Sequence, residues 1–148
     1  MLYGTGHAIG NILGGRYADR SLYGTLIASL IAGMVLLLVF SVTMSSAVMV
    51  APLIFLWGIA SFAVIPPLQS LVVQEASEAP NLASAMNIGA FNLGNAVGAA
   101  LGGGVISVGL GLPSVALAGA ATAVLGLLMV LVLKRKSLNK SNRQIMST

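Results

Sequence analysis

The sequence predicts an all-α membrane protein of about five transmembrane helices, and three observations carry that prediction. Of its 148 residues, 57% are hydrophobic and 7% are charged, where a soluble domain carries about 25% charged residues. Two long runs, Ser21–Gln74 and Ala79–Leu133, hold no charge at all. Five of the seven basic residues come after Leu133. A spanning helix needs about 20 apolar residues, so each uncharged run has room for two spans and a turn. A soluble helix would need a charged outer face, and these runs have none to offer. A membrane barrel would show alternating segments of about ten residues, which are absent here.

The first helix is expected over residues 2–16, short and glycine-rich. A second follows over 22–42, ending at the polar turn 43–46. The third, 48–74, contains Pro66 and Pro67. Neither proline can donate an N–H, so the carbonyls of Phe62 and Ala63 lose their helical partners and the span must kink or break there. The acidic loop 75–81 leads through Pro80 into a fourth helix, 82–108. The turn 109–113 ends at Pro113, suited to a first helical turn, and a fifth helix runs over 114–133. This gives a helical bundle over 1–133 and a basic, solvated tail over 134–148.

Orientation follows from the basic residues, which stay on the cytoplasmic side. With Arg16 and Arg20 inside, the five-helix order puts the uncharged loops outside and the whole basic tail inside, without exception. The N-terminus then lies outside. An odd number of spans that opens on a short one reads as the end of a longer protein, with Met1 in or near a span.

Several functional classes are excluded or weakened. The net charge of +4 is concentrated in the tail, so nucleic acid is not an expected partner; the lipid bilayer is. There is no cysteine to form a disulfide or a thiolate metal site, and no cofactor is expected. "GTGHAIG" follows no strand and lacks the Gly-Lys-Ser/Thr ending of a phosphate loop. An Asn-Lys-Ser sequon at 139–141 falls on the cytoplasmic tail. No His-Glu-x-x-His pair or intramembrane aspartate pair supports an enzyme; a dyad of His7 with a serine such as Ser61 has no surrounding motif.

The charged stretch "GGRYADR" between the first two spans resembles the cytoplasmic loop motif Gly-x-x-x-Asp-Arg of the major facilitator superfamily. Gly15, Asp19 and Arg20 match its first half, and Arg16 lies within it. The second half is missing, as "SLYG" stands where more glycine and arginine would follow. A degenerate copy with four spans after it fits the loop between helices eight and nine of a twelve-helix member. The stretch 58–103 further resembles bacterial drug/proton antiporters, notably the arabinose- and sugar-efflux permeases. The resemblance implies part of the C-terminal six-helix bundle, from the end of helix eight through helix twelve. It implies a multi-pass protein of the bacterial inner membrane, proton-coupled efflux of a sugar or small amphiphilic drug, and a missing N-terminal half as partner. In the family context Gly15, Arg16, Asp19 and Arg20 are expected to act as a gating latch. In purely local terms, the same charges anchor the loop inside, and Asp19 can cap a helix N-terminus.

Gly6, Gly10 and Gly14 recur four residues apart, as do Gly94, Gly98 and Gly102. Each set drifts slowly along one helix face and allows close approach of a neighbour. On the fourth helix Asn87 lies about 20° from Gly94, Asn95 about 100° and Asn92 about 160°. Asn87 is therefore assigned to the packing face, while Asn92 and Asn95 are candidates to line a substrate cavity. Gln69 and Trp57 are further lining candidates, and Pro66 and Pro67 mark a kink beside them. His7 is read as packing or weak lining. No carboxylate lies within any span, so an acidic proton carrier would belong to the missing half and the chain alone would not transport. The alternative function is a small helical membrane scaffold or assembly partner.

Overall fold

The structure is a computed structural model that describes every residue except Ser45, Ser147 and Thr148; the side chains of Ala47, Lys140, Ser141, Gln144 and Ile145 are also not described. Part of the expected 43–46 turn, two side chains of the sequon and the end of the tail therefore lie outside the described residues. The described residues form six helices: α1 (Leu2–Ala18), α2 (Leu22–Thr43), α3 (Ala47–Phe62), α4 (Ile65–Glu75), α5 (Pro80–Ser107) and α6 (Gly111–Ile145).

Sequence signals set most of the boundaries. Ser21 takes an extended backbone at the N-cap of α2, and its hydroxyl accepts from the Gly24 N–H at 3.1 Å. Asp19, expected as a possible cap, instead ends α1, where its own N–H bonds back to α1 carbonyls. It lies two residues ahead of the α2 N-cap, and serine is as good a cap as aspartate. Gly109 and Gly111, with φ of +80° and +78°, make the left-handed turn into α6. α6 does not stop at Leu133 but carries the basic segment on as helix to Ile145. No proline follows Pro113 and no glycine follows Gly126, so nothing in that segment breaks a helix.

The expected third span is two helices. The break falls at Ala63–Val64, and Pro66 and Pro67 occupy the first turn of α4, where a missing N–H costs nothing. Three stretches are long and apolar enough to cross a membrane: Leu22–Thr43, Val48–Glu75 (α3 with α4) and Gly111–Asn139. α1 spans only 17 residues. α5 has 28 residues, but its asparagines and glycines dilute its hydrophobicity.

α1 lies against α3, and α2 packs on α6 and on α3. The small buried core gathers around Leu26, Leu71 and Val130, with Leu22, Tyr23 and Leu68 against it. Many large apolar side chains face outward, Val35, Leu56, Leu125 and Met129 among them. That is the arrangement lipid requires, since hydrocarbon solvates such side chains.

Candidate substrate cavity and helix contacts

The α1–α3 contact is built by glycine. A Cβ added at Gly6 would sit 2.6 Å from the Phe55 carbonyl oxygen, and one at Gly14 2.5 Å from that of Ala63. Gly10 meets the backbone of Ile59 in the same way. Phe55, Ile59 and Ala63 are themselves four residues apart, so successive carbonyls of α3 press onto successive Cα groups of α1. Such Cα–H···O contacts are weak singly, about 0.5–1 kcal/mol each. The last of them rests on Ala63, one of the carbonyls that the prolines leave without a helical partner.

Above this seam stands a ladder of aromatic rings. His7 stacks on Phe62 with 3.4 Å between ring centroids and meets Tyr3 edge-on at 3.9 Å. Tyr3 stacks on Trp57 at 5.4 Å. Tyr3 and His7 are one turn apart on α1, on the side of Gly6 and Gly10. Tyr3 and Phe62 are not evident as site residues in the sequence; the i, i+4 spacing of Tyr3 and His7 was the available signal. Ser61, offered as a partner for His7, donates instead to the Gly58 carbonyl at 3.2 Å.

Trp57 and Tyr3 also line an open cavity of about 630 Å³ bordered by residues of α1, α2, α3, α5 and α6. Leu36, Phe40, Leu101 and Val115 supply much of its wall. Its polar groups are confined to Tyr3, Trp57 and Thr122, and the Thr122 hydroxyl is already engaged with the Gly119 carbonyl. No charged side chain borders it.

A second polar group of residues joins α4 to α5. Gln69 donates to the Ser84 hydroxyl and accepts from Asn87 at 2.5 Å. Asn87 is 7% exposed. The expectation that Gln69 lines a cavity is thus revised: both ends of its amide bind α5, because Ser84 and Asn87, one turn apart, present an acceptor and a donor on the same face of that helix. Ser84 is absent from the sequence-based candidates.

Asn92 and Asn95 lie exposed on α5, well past this junction. Gly94 and Gly98 differ from the packing expectation, since no atom stands within 4 Å of a Cβ at either position. Gly102 alone of that set is close to a neighbour, 3.4 Å from a Val115 methyl. That approach marks where α6 meets α5.

At the other end of the bundle Arg16, Asp19 and Arg20 are exposed, and Gly15 faces open space. Arg20 borders a groove of about 800 Å³ running between α1, α2 and α3 over Gly14, Ala28 and Ala60. No three His, Cys, Asp or Glu side chains meet among the described residues in a way that would hold a metal.

The fold is thus a set of apolar helices with glycine-mediated contacts, a break between α3 and α4, and charge gathered in the turns that follow α1 and α4. The sequence pattern of the Major Facilitator Superfamily matches residues 1–147. The chain belongs to that superfamily. Inner membrane transport protein YdhP of Escherichia coli (strain K12) is 52% identical over 136 residues, covering 92% of this chain and 35% of its own length. MFS-type transporter YtbD of Bacillus subtilis (strain 168), uncharacterized, is 38% identical over 114 residues, 74% of this chain and 28% of YtbD. AraJ of Escherichia coli (strain K12) is 36% identical over 122 residues, 79% of this chain and 30% of AraJ. The chain thus spans about a third of the length of these relatives. No solved structure matches it. Members of that superfamily are membrane transporters rather than enzymes.

Proposed function

We propose that the chain is the C-terminal part of a secondary active transporter of the bacterial inner membrane. By alternating access with its N-terminal half, the whole protein exports a small amphiphilic molecule against a proton gradient. The observation that carries the substrate class is the uncharged cavity beside Trp57 and Tyr3. An ionised substrate would lie there unpaired, and each buried hydroxyl of a sugar left without a partner would cost about 1–3 kcal/mol. A neutral amphiphile with one aromatic or aliphatic body fits such a wall better than a sugar does. Asn92 and Asn95 extend this uncharged polar character along the exposed face of α5. The N-terminus lies outside and the basic tail inside, with α3 and α4 acting as one broken span. Gly15, Arg16, Asp19 and Arg20 form a cytoplasmic latch. The chain without its partner half does not transport.

Everted membrane vesicles carrying the full-length gene product test this reading. They should accumulate an amphiphilic dye when acidified inside and lose it when a protonophore collapses the gradient. Accumulation of sugar but not of dye would overturn the substrate class. Accumulation unaffected by the protonophore would overturn proton coupling.

A further inference from the structure

α1 and α2 both lie on α3 but touch each other little. A trough of about 800 Å³ therefore opens between them, with Ile59, Ala60 and Ala63 of α3 as its floor. Its polar side chains gather toward one end. Tyr17, Arg20 and Ser21 stand at the mouth, and Thr25 and Ser29 follow along α2. The Thr25 hydroxyl is already bonded to the Ser21 carbonyl at 2.9 Å. Beyond Ser29 the walls are wholly apolar, through Ala32 to Val35 and Leu56.

We propose that this trough binds one anionic phospholipid, with its phosphate on Arg20 and one acyl chain laid along α2. Length separates a lipid from a missing helix as the occupant. Along α2 the trough runs from Ser21 to Leu36, about 22 Å. One leaflet with its headgroups is about 20–22 Å deep, whereas a spanning helix would need a groove of about 30 Å.

Charge selects the headgroup. Arg20 is the only charged residue lining the trough among the described residues, and a guanidinium holds phosphate oxygens through two parallel N–H bonds. Arg16 and Asp19 lie exposed in the same stretch; two arginines against one aspartate leave the mouth positive, and the first turn of α2 adds its positive pole. Glu75 and Glu78 belong to the turn after α4, and no residue of α4 or α5 lines the trough. Tyr17 stands beside Arg20 at the level where tyrosine favours the headgroup interface. Basic pockets between membrane helices hold anionic headgroups in this way.

An apolar trough with a cation at its mouth thus repeats the division of a phospholipid into tail and head. The cavity beside Trp57 has no charged residue at its border, so it offers a phosphate no such anchor. The lipid site does not rest on the transport reading. Only its assignment to the inner leaflet follows from the orientation proposed above.

The full-length gene product, reconstituted in phosphatidylcholine nanodiscs, tests the proposal. Phosphatidylglycerol carrying a photoreactive diazirine on one acyl chain is added, and labelled peptides are located by mass spectrometry after irradiation. A phosphatidylcholine probe of the same chain is the reference. The phosphatidylglycerol probe should label residues 24–36 and 56–63 in excess over the reference. Unlabelled phosphatidylglycerol should compete and inorganic phosphate should not. Arg20→Gln, at an exposed position, should cut the excess about five-fold, the worth of one arginine at an anionic surface, while Arg143→Gln leaves it unchanged. Equal labelling by the two probes would reduce the trough to ordinary lipid contact and overturn the proposal. So would an excess that survives Arg20→Gln, or one abolished by inorganic phosphate. Labelling that spares both segments would show that another helix of the full-length protein fills the trough, and would overturn it too. If Arg20→Gln does not fold, the wild-type preference and its competition decide the matter.

Discussion

Gly10→Ala tests whether the α1–α3 seam is held by direct backbone contact. A Cβ at Gly10 would lie 3.0 Å from both the Cα and the carbonyl carbon of Ile59, and nearer still to its oxygen. Carbon atoms prefer about 3.5–4.0 Å, so the helices must part by roughly 0.5–1 Å, a gap that forfeits a quarter to a half of each contact's attraction. The neighbouring contacts at Gly6 and Gly14 share the same rigid helix and open with it. Overpacking of this kind costs about 1–3 kcal/mol, which raises the unfolded fraction about 5- to 150-fold. Gly4→Ala is the control. Nothing lies within 4 Å of that position, and alanine is the better helix former by about 1 kcal/mol. The assay is reversible unfolding in mixed micelles with rising dodecyl sulfate, followed by Trp57 emission. Gly10→Ala should unfold at a lower sulfate fraction than wild type and Gly4→Ala at an equal or higher one. Equal midpoints for Gly10→Ala and wild type would refute the backbone-contact account.

Asn87→Ala removes the bond to Gln69 and should cost about 0.6–2 kcal/mol in the same assay, the range for a hydrogen bond between membrane helices. Asn92→Ala and Asn95→Ala, at exposed positions, should leave stability within about 0.5 kcal/mol. In the full-length gene product the last two should weaken substrate binding about two- to twelve-fold, the worth of one neutral hydrogen bond, as measured on purified protein. Asp19→Asn in the same protein should lower efflux while expression on a blot stays level; undiminished efflux would leave the loop as an anchor. A cysteine at Leu110 should label from outside intact cells and one at Ser77 only from inside, and the reverse pattern would refute the orientation.

What was legible in the sequence was governed by solvation. A charge in hydrocarbon is so costly that uncharged runs reveal spans whatever packs beside them, and helix is then the only open-chain structure that satisfies its own backbone. The broken span was legible for the same reason, since two missing donors cannot be hidden. Its position was less so. Proline is unwelcome inside a helix but welcome in its first turn, so the chain ends α3 at Phe62 and restarts at Ile65, placing both prolines after the break rather than in it. Charge alone marks the basic segment as a tail. Its helix follows from what it lacks, since Lys134–Ile145 contains neither glycine nor proline.

Periodicity says which face of a helix is narrow or polar but not which neighbour arrives there. Gly6, Gly10 and Gly14 share their spacing with Gly94, Gly98 and Gly102. The first set carries the carbonyls of α3, while Gly94 and Gly98 have no atom near them. The difference lies in the partner. α3 presents Phe55, Ile59 and Ala63 in matching register, and no element among the described residues presents such a row to Gly94 and Gly98. Gln69 shows the same limit at a polar site. Alone in a span it reads as a group in search of water or substrate. Only with α4 laid on α5 does it find Ser84 and Asn87 a helical turn apart, one to receive its N–H and one to donate to its oxygen. His7 is the converse case: at the α1–α3 seam close packing leaves its Nε2 without a hydrogen-bond partner, and nothing in the spacing of Tyr3 and His7 announces that outcome.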